Sequence, residues 1–105
     1  MAMTAAALRQ LPARVVSEAT GANIRTVERW RAGASPRRHA YRVRLDDLAA
    51  LMEVLGTSMA PRARQAWLTA RSAYLGWQRP VDVLAAGDFD RARAAALAYA
   101  GGDPT

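Results

Sequence analysis

The chain has 105 residues, no cysteine and a net charge of +6. This length corresponds to one domain, and the lack of cysteine excludes disulfides and thiolate metal sites. No apolar run approaches the roughly 18 residues that a membrane-spanning helix needs, and the first residues do not have the pattern of a signal peptide. We therefore expect a cytoplasmic protein without a membrane partner.

The composition favours helices. About half of the chain is apolar, at 51%. Ala and Leu are abundant whereas Phe and Ile are scarce, which is typical of helix rather than sheet. No stretch alternates between apolar and polar residues for longer than a few positions. We therefore predict an all-α fold with an N-terminal helix-turn-helix bundle, a long connecting helix and a small C-terminal helical region.

Positive charge is concentrated in the first part of the chain. Residues 1–44 hold nine Arg and two acidic residues, a net charge of +7, whereas residues 45–105 hold six Arg and seven acidic residues, a net charge of −1. A basic face on one part of a protein is the electrostatic signature of a polyanionic partner. A solvated surface that only maintains solubility is the alternative, and the one-sided distribution favours the polyanion.

Local signals divide this basic part into short helices. A first helix is expected around Thr4–Gln10, and a second over Ala13–Thr20, opened by Pro12. Gly21 is a natural helix stop. Asn23 is a good N-cap, so the next helix runs from about Asn23 to Ala32.

Two helices joined by a tight turn that contains glycine are typical of a helix-turn-helix, here Val15–Gly33. Val27 and Trp30 share one face and would anchor the second helix, leaving its other face free to enter a major groove. Arg can donate hydrogen bonds to guanine, and Glu can accept one from cytosine N4. The arginines in the following loop are suited to contacts with phosphates. The predicted DNA-binding residues are Asn23, Arg25, Thr26, Glu28, Arg29, Arg31, Arg37 and Arg38. A helix pair packed only for structure is the alternative.

A long helix is expected from about Arg38 to Leu55. Its apolar residues recur every three or four positions, which is typical of a buried helical stripe. The pattern is compatible with a core or with a dimer seam, and both remain open. The stripe consists of Tyr41, Leu45, Leu48, Met52 and Leu55.

The remaining helices are shorter. One begins at Pro61, with Ala66, Trp67 and Leu68 as its apolar content, and one more turn is expected over Ser72–Leu75. After a loop over residues 76–79, a helix runs from Pro80 to Ala86. The last helix spans Phe89 to about Ala100, with Asp88 as its cap.

The segment AWLTARSAYLGWQRPVDVLAAGDFDRARAAALAYAGG, Ala66–Gly102, resembles the C-terminal domain of Xre/MbcA/ParS-type antitoxins. Upstream, GANIRTVERW and RLDDLAALMEVL are similar to that family's helix-turn-helix and linker helix. The family often has Pro-Asn where Arg71-Ser72 stand, and commonly a second Gly where Trp77 stands. The residues at matching places are Trp67, Leu68, Leu75, Gly76, Pro80, Leu84 and Gly87.

The resemblance implies two regions, a DNA-binding region with its linker helix over residues 1–57 and a toxin-binding region over residues 58–105. It implies a RES-domain toxin that consumes NAD as the partner, with the antitoxin blocking the NAD pocket and repressing the shared operon. Trp77 would be either an interface anchor or a core plug, and both remain open. For Arg91 and Arg93, a solvated face is the alternative to toxin contact. The expected toxin-binding residues are Trp77, Gln78, Arg79, Asp88, Arg91, Arg93 and Tyr99.

We expect neither catalysis nor a cofactor. Asp46 and Asp47 are adjacent, so on a helix they point about 100° apart, and His39 stands alone in a basic loop. A helix-turn-helix protein usually reads a palindrome as a dimer, so we expect a homodimer on operator DNA and a hetero-oligomer with the toxin. The alternatives are a stand-alone helix-turn-helix regulator with a dimerisation or other protein-binding C-terminal half, and a helical adaptor that binds no DNA.

Overall fold

The structure is a computed structural model that describes residues 3–56 and 59–102. Within these ranges the chain is all-α, as predicted, and its extended pairing is limited to an isolated bridge between Ser72 and Gln78. The described helices are α1 Ala5–Leu8, α2 Ala13–Thr20, α3 Ile24–Arg31, α4 His39–Gly56, α5 Pro61–Thr69, α6 Pro80–Ala85 and α7 Phe89–Ala100, with a 3-10 turn Ala73–Leu75 before α6.

The predicted boundary between α2 and α3 is confirmed by local backbone geometry. Helix α2 ends at Gly21, which adopts the left-handed conformation with φ of +81°. Its N–H donates to the Ser17 carbonyl at 2.9 Å. The Oδ1 atom of Asn23 accepts from the Thr26 N–H at 2.8 Å, so this side chain starts α3 as an N-cap.

Helix α4 provides the central apolar surface. Leu45, Leu48 and Leu55 are buried as the stripe predicted, whereas Tyr41 and Met52 are only half-buried. The stripe omitted Leu51, which is completely buried. Because α4 packs against α2, α5, α6 and α7, its buried arc is wider than one narrow row of residues.

One hydrophobic core extends through both predicted regions. Helix α2 packs against α3, α4 and α6, and α4 packs against α7, so buried residues from both regions form a single cluster. The predicted boundary between residues 57 and 58 lies outside the described residues and stays a prediction. No helix in the described ranges has the length and apolar character to cross a membrane.

Ala66 is exposed, because the core side of α5 is formed by Trp67 and Leu68. One local expectation is wrong. Asp88 stands at the N-cap of α7, but its side chain accepts no hydrogen bond from the helix. Its backbone, with φ of −94° and ψ of 60°, is not in the extended conformation that an N-cap usually adopts.

Candidate functional site

The outer face of α3 is polar and basic. Val27 and Trp30, on the inner side, are 0% and 4% exposed. The outer side presents Ile24, Arg25, Glu28 and Arg29, all exposed; we call these four residues the α3 face. Because 3.6 residues make one helical turn, this face is one continuous arc of the helix, opposite to its buried side.

Trp30 fixes α3 against the start of α4. Its ring meets the Tyr41 ring edge-on, with 5.3 Å between centroids. The Arg38 guanidinium lies over the same Tyr41 ring, 5.5 Å from its centroid, at a distance suited to a cation–π interaction. The aromatic pair therefore holds both α3 and one of the predicted phosphate-binding arginines.

Side chains of α2 rigidify the turn that leads into α3. Ser17 Oγ donates to the Ala22 carbonyl at 2.6 Å. Thr20 Oγ1 donates to the Val16 carbonyl at 2.8 Å and accepts from the Ala22 N–H at 3.2 Å. The orientation of α3 relative to α2 is therefore set by hydrogen bonds as well as by apolar packing.

Arg9 holds the other end of α3. Its Nη1 donates to the Arg31 carbonyl at 2.7 Å, which places a cation at the helix C-terminus, where the dipole is favourable. Sequence reasoning missed this contact, because its partners are 22 residues apart. Arg9 is thus a candidate positioning residue for α3.

The predicted DNA-binding residues differ in whether their side chains are exposed and free of contacts within the chain. Arg25, Arg29, Arg37 and Arg38 are exposed, whereas Thr26 is half-buried. Asn23 is exposed, but its Oδ1 is occupied by the cap. The half-buried Arg31 forms an ion pair with Glu28 at 2.9 Å, so these two charges are already matched within the helix.

A second exposed feature is the segment of residues 71–79, which we call the aromatic loop. Trp77 is 65% exposed and, directly after Gly76, adopts a positive φ of 68°. Its N–H donates to the Ser72 carbonyl at 2.7 Å, and the Ser72 N–H donates to the Gln78 carbonyl at 3.0 Å. Trp77 is therefore not a core plug: the loop closes on its own backbone and points the indole outward.

The positive φ of Trp77 is unusual, because a bulky L-residue rarely occupies the left-handed region. Glycine, which has no Cβ atom, adopts this region without that strain. Tyr74, in the same loop, is 52% exposed. Sequence reasoning did not single out Tyr74, whose spacing within a 3-10 turn does not distinguish an exposed ring from a buried one.

Arg79 is engaged within the chain. Its Nε and Nη2 donate to the two carboxylate oxygens of Asp82, each at 2.8 Å, and Nη2 also reaches Glu18 Oε1 at 3.4 Å. Hydrogen bonding to Asp82 is the main reason that the pKa of Arg79 is raised. The same bonds are the main reason that the pKa of the Asp82 carboxyl is lowered.

The other predicted toxin-binding residues lie on or beside α7. Arg91 donates to the Leu75 carbonyl and to Asp88, each at 3.4 Å, and so ties α7 to the aromatic loop. Arg93 is exposed. Tyr99 is 38% exposed, and its ring centroid lies 6.3 Å from that of the buried Trp67. Gln78 is exposed beside Trp77.

No group of three or more His, Cys, Asp or Glu side chains with the arrangement of a metal site occurs within residues 3–56 and 59–102. His39 is exposed at the first residue of α4.

The described residues define a small all-α protein with a basic helix face and an exposed aromatic loop. No protein-family model matches the chain, and no solved structure matches it significantly. The chain is 38% identical over 79 residues to a probable mycobacterial cidal antitoxin of Mycobacterium tuberculosis, and the alignment covers 74% of the chain and 66% of that relative. The chain thus spans slightly less than two thirds of the relative's length. This similarity supports membership of the chain in a family of antitoxins.

Proposed function

We propose that this chain is an antitoxin of a type II toxin–antitoxin module. It binds and blocks a RES-domain, NAD-consuming toxin, and it represses its own operon by binding operator DNA. The observation that carries the proposal is the 38% identity to a protein named as an antitoxin. The RES toxin is proposed from the resemblance of residues 66–102.

The DNA-binding part of the proposal rests on the helix pair α2–α3, interpreted as a helix-turn-helix. A major groove about 12 Å wide admits one helix. Helix α3 exposes Arg25 and Arg29 on its outer face, and Arg can bond O6 and N7 of guanine together. Arg37 and Arg38 follow in an exposed loop, where they are suited to phosphates. Base contacts then come from α3, and sequence-independent affinity comes from the loop.

The toxin-binding part rests on the aromatic loop and α7. Trp and Arg are enriched among the residues that dominate binding energy at interfaces, and Trp77 is held outward by backbone hydrogen bonds. A preformed loop loses little conformational entropy on binding. Trp77 and Gln78 are therefore proposed as direct contacts, together with exposed side chains of α7 such as Arg93. Arg79 is proposed to contact the toxin while bound to Asp82.

The toxin-binding proposal is tested by NAD levels in cells that express a RES-domain toxin encoded beside the gene for this chain. Co-expression of the chain should prevent NAD loss, and Trp77→Ala should restore much of that loss. Arg62→Ala, at an exposed position of α5 outside the proposed surface, is the matched control. Equal NAD loss with and without the wild-type chain would contradict the antitoxin function and favour a stand-alone regulator.

The DNA-binding proposal is tested by measuring the affinity for the chain's own promoter region over a series of salt concentrations. Neutralised phosphates release counterions, so log K should fall linearly with log salt concentration. Sedimentation of the complex should show two copies of the chain on a palindromic site. The absence of salt-dependent binding would contradict DNA binding and favour an adaptor that acts only on proteins.

A further inference from the structure

Ile24 is an exposed apolar side chain on the basic α3 face. It is the first residue of α3 and is 47% exposed, although α3 has buried positions that Val27 and Trp30 occupy. About half of the surface of this side chain is therefore not covered by the core. Its neighbours on the face are the exposed Arg25 and Glu28.

The position of Ile24 is the one from which a recognition helix reads bases. In helix-turn-helix proteins the N-terminal residues of the second helix contact base edges in the major groove. At about 100° per residue, Ile24 and Glu28 differ by roughly 40° around the helix axis, so they lie one turn apart on the same side. Because Glu28 is paired with Arg31 at 2.9 Å, the charge next to Ile24 is locally balanced, which suits an apolar contact.

We infer that Ile24 determines sequence specificity by contacting the 5-methyl group of a thymine in the major groove. This inference rests on the proposed DNA binding. Thymine presents the only methyl group among the four bases in that groove, and apolar side chains are its usual partners. Arg25 and Arg29 flank the contact with positive charge, so the occupant that fits the face as a whole is double-stranded DNA, not an apolar protein surface.

The test uses the promoter fragment bound by the wild-type chain, with each thymine of the footprint replaced in turn by deoxyuridine, which lacks only the 5-methyl group. At one position, or at its symmetry-related pair, the wild type should lose about fourfold in affinity per methyl group, as for one buried carbon. Ile24→Ala should bind the thymine-containing fragment more weakly and should lose its sensitivity to deoxyuridine at that position.

Leu97→Ala is the matched control, since Leu97 on α7 is an aliphatic side chain with a similar exposure of 46%. It should keep the wild-type pattern of deoxyuridine sensitivity. Circular dichroism of Ile24→Ala should show wild-type helix content, so that weaker binding is not a folding effect.

Three results would overturn the inference while leaving DNA binding intact. The first is a wild-type chain that binds the fragment but is insensitive to deoxyuridine at every position. The second is an Ile24→Ala variant that keeps the wild-type sensitivity. The third is an Ile24→Ala variant that weakens binding to all sequences equally, as expected if Ile24 contacts protein. Failure of the wild type to bind any promoter fragment would instead overturn the proposed DNA binding, and this inference with it.

Discussion

Arg79 and Glu18 join the start of α6 to helix α2, with 3.4 Å between Nη2 and Oε1. Since α2 is the first helix of the proposed DNA-binding pair and Arg79 is the last residue of the aromatic loop, this ion pair links the two proposed binding regions. Arg79 is also held by both carboxylate oxygens of Asp82. A substitution of Arg79 therefore affects folding as well as any contact with a toxin.

Arg79→Gln should destabilise the protein at neutral pH and have little effect in acid. The pKa of Asp82 is lowered from 3.8 by Arg79, so this pair contributes stability above that pH, and the contribution is lost as the pH falls through the lowered pKa in the folded state. Because the Asp82 side chain is 50% exposed, the effect at pH 7 should not exceed about 1 kcal/mol.

This effect is measured by urea denaturation of the wild type and Arg79→Gln at neutral pH and at the most acidic pH at which both still fold. Arg93→Gln, which removes the same charge from an exposed position of α7, is the control and should be nearly neutral at both. A deficit of Arg79→Gln that stays constant or grows in acid would show that the ion pairs are not its origin.

Substitutions of Trp77 should separate folding from binding. Trp77→Ala removes the exposed indole but keeps an L-residue at a φ of 68°, whereas Trp77→Gly also relieves the backbone strain. We expect Trp77→Gly to be more stable than Trp77→Ala by about 1 kcal/mol. Both should weaken toxin binding by roughly 2 kcal/mol if the indole is an anchor.

Thermal denaturation and calorimetric titration with the toxin measure these two effects separately. Equal stability of the two variants would contradict a strained left-handed backbone at Trp77. Wild-type affinity for the toxin in both variants would show that the indole does not contribute to the toxin interface.

Gly21→Ala should cost about 1 kcal/mol of folding free energy. At this position a Cβ atom would meet nothing within 4 Å, so the cost comes only from the φ of +81°. Gly21→Asn should cost less, because Asn tolerates the left-handed conformation better than Ala. Urea denaturation of the wild type, Gly21→Ala and Gly21→Asn measures the order of their stabilities. A Gly21→Ala variant as stable as the wild type would contradict the explanation by backbone conformation.

Arg29→Ala and Arg38→Ala should weaken DNA binding in different ways. Arg29 is exposed on the α3 face, so its loss should reduce the affinity for the operator more than for random DNA. Arg38 is in the loop before α4, stacked on Tyr41, and its loss should weaken both similarly and reduce the salt slope by about one unit.

Fluorescence anisotropy with operator and random duplexes over a salt series distinguishes the two cases. Arg62→Ala is again the control, because it removes an exposed arginine outside the proposed interface. If Arg29→Ala lost the same affinity for both duplexes, Arg29 would contact phosphates and not bases.

The sequence by itself was sufficient for the features that depend on neighbouring residues. The all-α class and the bounds of α2, α3 and α7 follow from helix propensity and apolar spacing, and from Gly21 and Asn23 at the helix ends. Pro61 and Pro80 begin helices as predicted, because a fixed φ and a missing N–H suit the first helical turn.

Only the tertiary structure decided which side chains are enclosed by more than one helix. Leu51 is buried because four helices surround α4, and Trp77 is exposed because its loop closes on Ser72. The contacts of Arg9 with Arg31 and of Arg79 with Glu18 span 22 and 61 residues. Sequence periodicity describes one helix at a time, whereas these features depend on where other helices lie in space.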